Sequence, residues 1–483
     1  MAGLLVTGTT SDAGKSLVVT GLCRAWARAG IRVAPFKSQN MSNNSMVCED
    51  GSEIGRAQYL QAQAAGVVAS LLHNPVLLKP GSDRRAFVVL RGRPAGELGA
   101  GEYATGRAHL AEAAFAAYEE LADSVDLVVC EGAGSPAEVN LRAGDYVNMG
   151  LARRFELPTL LVADIDRGGA LAAVVGTSTL LSPADRGMLR GFVMNKFRGD
   201  HDVLAPGLSV VSDRTGLPWL GTLPWLEDVW LDSEDALSVG RWHPTSPSTP
   251  SPEPLRVAVV RFPRVSNATD VDALAAEPGV EVRVTTDPSV CREADLLVLP
   301  GSRATVDDLA WLRGRGLDEV VAARVAAARP VLGVCGGYEM LGSMIEDTVE
   351  STVERVHGLG HLEATTQFRH EKVLGRPHGS WRGHPVSGYE IHHGIVSAEA
   401  SFPGGTCSGT VWGTIWHGTL ECDDFRRAWL TEVAEAAGSP WRPQAGAPSF
   451  ASRRETMIDR LADAVTEHLD LDQLLAWAME KAA

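Results

Sequence analysis

The sequence predicts an α/β protein of two domains, each built on a mainly parallel sheet. Short apolar runs that suit buried strands alternate with helical stretches from the start of the chain, as in GLLVTG followed by SLVVTGLCRAWARAG. Near residue 241 the alternation stops at RWHPTSPSTPSPEP, whose proline and serine content favours an extended linker. It then resumes with LRVAVVRFP and ADLLVLPGS. A chain of 483 residues also exceeds what one hydrophobic core supports.

The same pattern sets the domain boundaries. The last stretch, RETMIDRLADAVTEHLDLDQLLAWAME, carries apolar residues at helical spacing and predicts one or two amphipathic helices packed on a neighbour. We therefore divide the chain into an N-terminal domain, a linker, a C-terminal domain and a helical tail, with the bounds 1–238, 239–254, 255–445 and 446–483.

The composition argues against several classes of protein. A formal net charge of -16 would repel a polyanion, so we expect no nucleic-acid partner. We find no apolar run that could span a bilayer and no basic region typical of an export signal, so we expect no membrane partner and a cytoplasmic location. The seven cysteines are scattered without a C-x-x-C pair, which disfavours a disulfide framework or a zinc ribbon. We expect small-molecule substrates and leave a homo-oligomer open.

A glycine-rich loop follows the first apolar run and predicts a phosphate-binding site. GTTSDAGKS has one residue more between its glycines than the standard P-loop, but it precedes a helix predicted to start near Lys15. Lys15 would meet the β and γ phosphates of ATP, and Ser16 would bind Mg²⁺. An ordinary glycine turn with an exposed lysine is the alternative. The expected nucleotide-binding residues are Gly8, Thr9, Asp12, Ala13, Gly14, Lys15 and Ser16, with Asn195 at the end of a later strand as a contact for adenine.

Polar residues at the ends of other predicted strands are candidates for the same site, because ligands bind at that edge of such sheets. Glu131 ends the strand of DLVVCE, and Glu53 lies in GSEIGRAQ; we expect both to bind the Mg²⁺ held by Ser16. A solvated or capping role is the alternative for each acid. Four further residues follow strands and are expected to contact substrate or phosphate, with structural salt bridges as the alternative in the last two: Lys37, Asn40, Asp166 and Arg167.

A second motif predicts a cysteine nucleophile. In VLGVCGGYEML an apolar strand runs into Cys335, two glycines and a helix, which is the pattern of a nucleophile elbow, and the helix N-terminus is expected to favour the thiolate. His417, which follows the strand-like VWGTIW, is the expected base, and His392 is the alternative. The backbone amides of Gly301 and Gly336 are expected to form the oxyanion hole, although a structural turn also explains the glycine of LPGS.

Together these motifs resemble the cobyric acid synthase family over nearly the whole chain. The strings that carry the resemblance are GTTSDAGKS, APFKSQNMSNNS, CEGAGSPAEVNL, NKFRGD, GVCGGYEMLG and WHGT. The first loop is also similar to that of dethiobiotin synthetase, and the C-terminal half to class I glutamine amidotransferases. The resemblance implies a cobalamin-biosynthesis ligase that uses ATP, Mg²⁺ and glutamine to amidate the b, d, e and g carboxylates of adenosylcobyrinic acid a,c-diamide.

Two residues depart from the patterns of these relatives. Glu339 stands where the family usually has Gln, and Thr419 stands where many class I amidotransferases have the Glu that orients the histidine. The acid partner of His417 is therefore not identified by the sequence. A sister cobyrinic acid a,c-diamide synthase, acting on other carboxylates, and a P-loop ATPase switch remain the alternatives; NKFRGD disfavours the first and the Cys335 motif the second.

Overall fold

A parallel six-stranded sheet forms the centre of the N-terminal domain. The computed structural model describes residues 1–81, 85–99, 107–227, 229, 253–351 and 353–480. The elements of this domain are β1 (Gly3–Gly8), α1 (Lys15–Arg28), β2 (Val33–Phe36), β3 (Gln39–Met41), β4 (Ser45–Val47), β5 (Glu53–Gly55), α2 (Arg56–Ala65), β6 (Val76–Pro80), β7 (Arg85–Leu90), β8 (Arg93–Gly99), α3 (Ala108–Ala122), β9 (Leu127–Glu131), α4 (Met149–Phe155), β10 (Thr159–Asp164), α5 (Ala170–Leu180), α6 (Pro183–Arg186), β11 (Leu189–Phe197), α7 (His201–Thr215) and β12 (Trp219–Pro224).

The order of strands in this sheet is β12-β11-β10-β1-β9-β2, and every neighbouring pair is parallel. Residues of β1, β9 and β10 are buried throughout, as strands covered by helices on both faces must be. Because the strands run in one direction, their carboxyl ends lie at one edge. The candidate residues at the ends of β1, β9, β10 and β11 are therefore brought to the same side of the domain.

The sequence analysis did not anticipate a mainly antiparallel part of this domain, in which only β3 and β6 pair in parallel. Strands β3, β6, β7 and β8 form a separate four-stranded sheet, and β4 pairs with β5 as a hairpin. The insertion lies between β2 and α3, and it carries several polar side chains that are buried against the C-terminal domain.

A second mainly parallel sheet forms the C-terminal domain. Its elements are β13 (Leu255–Val260), α8 (Asp272–Ala275), β14 (Val280–Thr285), α9 (Pro288–Glu293), β15 (Leu296–Leu299), α10 (Thr305–Gly314), α11 (Leu317–Ala326), β16 (Val331–Val334), α12 (Gly336–Leu341), β17 (Met344–Glu346), β18 (Arg355–His357), β19 (Thr365–Gly375), β20 (His378–Trp381), β21 (His384–Ser387), β22 (Glu390–Ser397), β23 (Gly405–Ser408), β24 (Val411–Thr414) and α13 (Asp423–Ala437). The strand order is β14-β13-β15-β16-β24-β23, with only the edge strand β23 antiparallel. A second sheet, β18-β17-β19-β22, lies beside it.

The tail returns to the N-terminal domain. It forms α14 (Phe450–His468) and α15 (Leu471–Met479), whose buried apolar residues join the core that contains β1 and α1. A Cβ atom at Gly21 of α1 would lie 2.8 Å from the carbonyl oxygen of Leu461, so only glycine lets the two helices approach this closely. Arg24 of α1 also donates to Asp459 at 2.8 Å. The C-terminal tail thus packs against the first helix of the N-terminal domain.

Most of the predicted linker, 239–254, lies outside the described residues, up to residue 252. The two domains nevertheless contact each other directly through described side chains. Arg56 of α2 pairs with Glu421 of the C-terminal domain at 2.6 Å. No helix in the described part of the chain is both long and apolar enough to cross a membrane.

Candidate active sites

The loop between β1 and α1 has the geometry of a phosphate-binding loop. Helix α1 begins at Lys15, as the sequence predicts, and Gly14 before it has a φ of 100°. A Cβ atom at Gly14 would lie 1.9 Å from Asn195 Nδ2, so the position requires glycine for its backbone angle and for space. Lys15 Nζ donates to the carbonyl oxygens of Thr10 at 3.2 Å and Gly134 at 3.3 Å. These two hydrogen bonds fix the position of the ammonium group over the phosphate-binding loop.

Asn195 has a different position from the one we expected. Its side chain is fully buried beneath the loop, and Nδ2 donates to the carbonyl oxygen of Ala13 at 2.9 Å. With Nδ2 bonded to the loop and Oδ1 buried without a partner among the described residues, this side chain is not presented to a nucleotide base. We therefore replace the adenine role with a positioning role, in which Asn195 fixes the backbone before Lys15.

Glu131 lies at the centre of a buried polar cluster at the end of β9. Its Oε1 accepts from Ser16 Oγ at 2.8 Å and from Lys37 Nζ at 2.9 Å, and its Oε2 accepts from Gln61 Nε2 at 2.5 Å. Burial opposes ionisation, but Lys37, Gln61 and Lys15 outweigh it and hold the pKa of Glu131 below its ordinary value. The group is a carboxylate beside the phosphate loop, and Gln61 is a member of the cluster that the sequence analysis did not identify.

This cluster fits a Mg²⁺ ion that is shared with nucleotide phosphates. Within the described ranges, no group of three or more His, Cys, Asp or Glu side chains could hold a metal by itself. Mg²⁺ bound to a nucleotide needs only one or two protein oxygens, since phosphates and water supply the rest. The convergence of Ser16 Oγ and Glu131 Oε1 provides two hard oxygen ligands of that kind.

The structure does not bring Glu53 into this cluster. Glu53 is fully buried at the boundary between the domains, where Oε1 accepts from Lys79 Nζ at 2.6 Å and Ser45 Oγ at 2.9 Å. Its Oε2 accepts from Lys372 Nζ at 2.6 Å. Burial is outweighed by the two lysines, so the pKa of Glu53 is well below its ordinary value. Both oxygens are paired with ammonium groups, and we withdraw Glu53 as a Mg²⁺ ligand.

The remaining candidates of the N-terminal domain lie around one cavity beside the loop. Lys15, Lys37, Asn40 and Asp12 all line it. Arg167 is not among the lining residues, but it pairs with Asp12 Oδ2 at 3.1 Å. Asp166 is paired with Arg198. The cavity therefore joins the phosphate loop to cationic and amide groups suited to an anionic substrate, whereas the contact of Asp166 is a structural salt bridge.

Cys335 occupies a strained turn between β16 and α12. Its φ is 50° and its ψ is -112°, a backbone conformation that non-glycine residues rarely adopt. Its N–H donates to the carbonyl oxygen of Thr414 at 2.7 Å, which ties the turn to the neighbouring strand β24. A Cβ atom at Gly337 would lie 2.0 Å from the carbonyl oxygen of Leu299, so glycine is required for the helix to pack here. This geometry is that of a nucleophile elbow.

The expectation of a resting thiolate is wrong. Burial raises the pKa of Cys335 well above its ordinary value, and Glu339 in its ionised form and Asp270 raise it further. A hydrogen bond from the Gly336 N–H acts in the opposite direction but is outweighed. The six-residue helix α12 does not overcome these effects. Cys335 is therefore a thiol at rest and requires a base at the moment of attack.

Asp270 provides the acid that the sequence left unidentified. Its Oδ2 lies 2.6 Å from His417 Nδ1, and its Oδ1 accepts from the Gly418 N–H at 2.8 Å. His417 is buried, and its Nε2 has no partner among the described residues. The alternative base, His392, lines the pocket of Cys335, but its Nδ1 contacts the carbonyl oxygen of Gly394. His392 Nε2 lies 3.8 Å from Glu390 Oε1, whereas His417 Nδ1 lies 2.6 Å from Asp270 Oδ2. His417 is thus the histidine that a carboxylate orients more closely, and its Nε2 is left for proton transfer.

The two predicted oxyanion glycines lie against this site. A Cβ atom at Gly301 would be 3.1 Å from His417 Cε1, and one at Gly336 would be 2.9 Å from the backbone nitrogen of Ser302. The loop after β15 therefore packs directly on the turn of Cys335. No side chain other than hydrogen fits at either glycine, as a site formed by backbone amides requires.

We expect Asp270→Asn to lower kcat for glutamine hydrolysis by about 10²- to 10⁴-fold, because the imidazole loses the group that fixes its tautomer. Glutamate release under saturating glutamine measures the effect. Asp307→Asn is the matched control, since Asp307 is a half-exposed acid of the same domain with a distant partner, Arg264, at 3.8 Å. Equal activity of the Asp270 variant and the control would contradict the role of Asp270.

Glu339 is buried in the pocket of Cys335, where Oε2 accepts from Thr305 Oγ1 at 2.8 Å. Burial raises the pKa of Glu339 to about 8, so the carboxyl group is protonated at neutral pH and resembles a glutamine amide in charge and shape. The folded chain keeps a proton that the unfolded chain releases, so stability decreases as pH rises from about 4.5 to about 8.

We expect Glu339→Gln to remove this loss of stability. The variant should match the wild type near pH 5 and exceed it near pH 8 by roughly a few kcal/mol, since one pKa unit corresponds to about 1.4 kcal/mol. Thermal unfolding at both pH values measures the difference. Glu346→Gln, which changes a half-exposed acid of the same domain, is the control. A stability difference that is independent of pH would show that Glu339 is already ionised in the folded protein.

The fold and the two sites define a class of enzyme, a nucleotide-dependent amide synthase fused to a glutamine amidotransferase. Residues 4–239 match the CobQ/CobB/MinD/ParA nucleotide binding domain family, and residues 256–425 match the CobB/CobQ-like glutamine amidotransferase domain family. A solved glutamine amidotransferase covers 38% of this chain and 98% of its own, at 18% identity and a TM-score of 0.30, which is too low to carry an argument.

Full-length relatives identify the family more closely. The chain is 60% identical to a cobyric acid synthase of Cutibacterium acnes, over 98% of this chain and 99% of the relative. It is 55% identical to a cobyric acid synthase of Mycobacterium marinum, over 99% of this chain and 97% of the relative. The chain belongs to the cobyric acid synthase family.

Proposed function

We propose that this enzyme uses ATP and glutamine to amidate the b, d, e and g carboxylates of adenosylcobyrinic acid a,c-diamide, which gives adenosylcobyric acid. The observation that carries the proposal is the composition of the pocket around Cys335. It is lined mainly by the C-terminal domain, but Lys79 of the N-terminal domain is also part of its wall. Ammonia released from glutamine is therefore formed at the boundary with the domain that activates the acceptor.

In the glutamine half, Cys335 Sγ attacks the carboxamide carbon while its proton passes to His417 Nε2. The N–H groups of Gly301 and Gly336 stabilise the oxyanion of the tetrahedral intermediate. The C–N bond then breaks as His417 returns the proton to the leaving nitrogen, which departs as ammonia and leaves a thioester. Water attacks the thioester, with His417 again taking a proton, and the products are glutamate and the free thiol.

In the synthase half, a substrate carboxylate attacks the γ phosphorus of ATP. A carboxylate is a poor electrophile until one of its oxygens belongs to a phosphate leaving group, so the acyl phosphate is the species that ammonia can attack. Lys15 balances charge on the transferred phosphoryl group, and Lys37 and Asn40 of the same cavity orient the carboxylate. The final products are the amide, ADP and inorganic phosphate.

Ser16 and Glu131 would hold Mg²⁺ on the nucleotide. The ion would supply charge neutralisation for the β and γ phosphates. Asn195 contributes indirectly, because its bond to Ala13 fixes the loop that presents the backbone N–H groups to the phosphates.

Mass spectrometry of the corrinoid tests this proposal. Adenosylcobyrinic acid a,c-diamide is incubated with enzyme, Mg-ATP and glutamine, and each amidation replaces a hydroxyl by an amino group. We expect a series of successive products that ends when the b, d, e and g positions are converted, with one ATP and one glutamine consumed per step. If ATP is hydrolysed but the corrinoid mass does not change, another carboxylate is the substrate.

A further inference from the structure

Two hydrogen bonds join the domains beside the candidate glutaminase site. Asn44 Oδ1 of the N-terminal domain accepts from the Ala268 N–H at 3.1 Å, and Asn267 Oδ1 of the C-terminal domain accepts from the Ser45 N–H at 2.9 Å. Asn44, Ser45 and Asn267 are buried. We call this reciprocal pair of bonds the interdomain clasp. The bond to Ser45 satisfies a backbone donor that is fully buried, and the bond to Ala268 satisfies one that is partly buried, so opening the clasp would cost free energy.

The clasp holds the turn that carries Asp270. Asn267 has a φ of 49° and precedes the short helical turn Ala268–Val271. The Asp270 N–H donates to the carbonyl oxygen of Asn267 at 3.1 Å, which makes the turn a single hydrogen-bonded unit. Since Asp270 in turn orients His417, displacement of the turn would move the catalytic imidazole.

A series of buried contacts also connects the clasp to the candidate phosphate site. Ser45 Oγ donates to Glu53 Oε1 at 2.9 Å, and Glu53 begins β5, which runs directly into α2. Helix α2 carries Gln61, which donates to Glu131 Oε2. A chain of buried contacts therefore leads from the carboxylate beside the phosphate loop to the turn of Asp270.

The bridge formed by Glu53, Lys79 and Lys372 lies beside this path. Lys79 Nζ donates to Ser45 Oγ at 2.8 Å as well as to Glu53. Lys372 of β19 donates to the other oxygen of Glu53, and both lysines line the pocket of Cys335. Removal of one partner from a buried ion pair leaves an uncompensated charge, so this bridge holds the domains in one relative position. It also contacts Ser45, the residue next to Asn44 in the chain.

We propose that Asn44, a residue of the synthase domain, is a positioning residue for the glutaminase site. Through the clasp, Asn44 holds the Asp270 turn so that His417 is aligned with Cys335, and glutamine hydrolysis depends on the arrangement of the synthase domain. The inference rests on the proposed glutaminase function. It explains how one chain could limit ammonia release to the state in which the neighbouring domain is assembled.

The test compares Asn44→Ala with Asn44→Asp. The alanine variant loses the acceptor for the Ala268 N–H, and we expect kcat for glutamate release to fall roughly 10- to 100-fold, since small misplacements of catalytic groups cost that much. KM for glutamine should stay within about twofold, because Asn44 is not among the residues that line the pocket of Cys335. Asn44→Asp retains an acceptor oxygen and should recover most of the lost activity. Amidation with ammonium should be unchanged in both variants.

A double-mutant cycle with Asp270→Asn separates positioning from general damage. If Asn44 acts through Asp270, the Asn44→Ala change should have little further effect in the Asp270→Asn background. Additive effects, or equal losses of glutamine- and ammonium-dependent amidation, would overturn the inference. Should Asn44→Ala fail to fold, Asn267→Gly tests the opposite half of the clasp, because glycine tolerates the positive φ. Asn267 also lines the pocket of Cys335, so the readout for this variant is the cycle with Asp270→Asn and not KM for glutamine.

The wild type provides the control that separates this inference from the proposed function. If wild-type enzyme releases no glutamate with glutamine, Mg-ATP and corrinoid present, the proposed glutaminase function fails. If the wild type is active and Asn44→Ala is equally active, the function stands and the positioning role of Asn44 is excluded.

Discussion

Cys335→Ala is expected to abolish glutamine-dependent amidation, with a loss of about 10⁴-fold or more, while amidation with ammonium continues at close to the wild-type rate. The thiol is the group that forms the thioester, and no neighbouring side chain can replace it. The synthase site lies in the other domain and accepts ammonia from either source. Product mass is measured with glutamine and with ammonium chloride under otherwise identical conditions, at a pH where some free ammonia is present.

Cys291→Ala is the matched control for this variant. Cys291 is also buried in the C-terminal domain, and burial raises its pKa to about 11, but it lies in α9 and has an ordinary helical backbone. It should retain both activities. Loss of the ammonium reaction in Cys335→Ala alone would mean that the cysteine is required for the synthase chemistry or for domain assembly, and the two-site mechanism would need revision.

The parts of the molecule that local sequence could predict are those that depend on local backbone. The phosphate loop requires Gly14 because of its φ and its contact with Asn195, and the turn of Cys335 requires Gly337 because of the carbonyl oxygen behind it. Because of these constraints, glycines occur at fixed sequence positions relative to the preceding strand and the following helix, and this spacing can be recognised in the sequence. The parallel sheets were predictable for the same reason, since buried strands and their following helices are contiguous in the chain.

Contacts between side chains that are distant in the sequence could not be predicted from local sequence patterns. Asp270 lies far from His417 in the chain and in a turn with other acids, so nothing in its neighbours distinguishes it as the partner of the histidine. Glu53 was predicted to bind Mg²⁺, but the lysines that occupy its oxygens come from β6 and β19. Lys372 even belongs to the other domain. A charge pattern in one segment does not reveal which distant segment neutralises it.

Burial also reversed one chemical expectation. The motif around Cys335 suggested a thiolate, because a helix N-terminus stabilises negative charge. In the folded chain the sulfur is buried beside Glu339 and Asp270, and these surroundings favour the neutral thiol. The sequence predicts Cys335 as the candidate nucleophile, but its protonation state depends on groups that only the tertiary structure brings together. This result makes the Asp270–His417 pair essential to the proposed reaction.

Lys15→Ala is expected to lower amidation by about 10²- to 10³-fold with glutamine and with ammonium alike. Removal of one cation that stabilises the transferred phosphoryl group weakens the step that both nitrogen sources share. Lys15 Nζ donates to the backbone carbonyl oxygens of Thr10 and Gly134, and we expect the variant to keep the fold. ATP consumption and corrinoid mass are measured together, and thermal unfolding checks the fold.

Arg28→Ala is the control for Lys15, because Arg28 is a half-exposed cation at the opposite end of the same helix and pairs with surface acids of the tail. Loss of such a pair should change stability by about 1 kcal/mol or less and leave catalysis unaffected.

A comparison of amidation rates with glutamine and with ammonium then separates the two sites. Cys335→Ala should discriminate glutamine from ammonium, and Lys15→Ala should not. A Lys15 variant that lost only the glutamine reaction would place Lys15 in the coupling of the domains, and phosphoryl transfer would have to be assigned to other cations of the cavity, with Lys37 the first candidate.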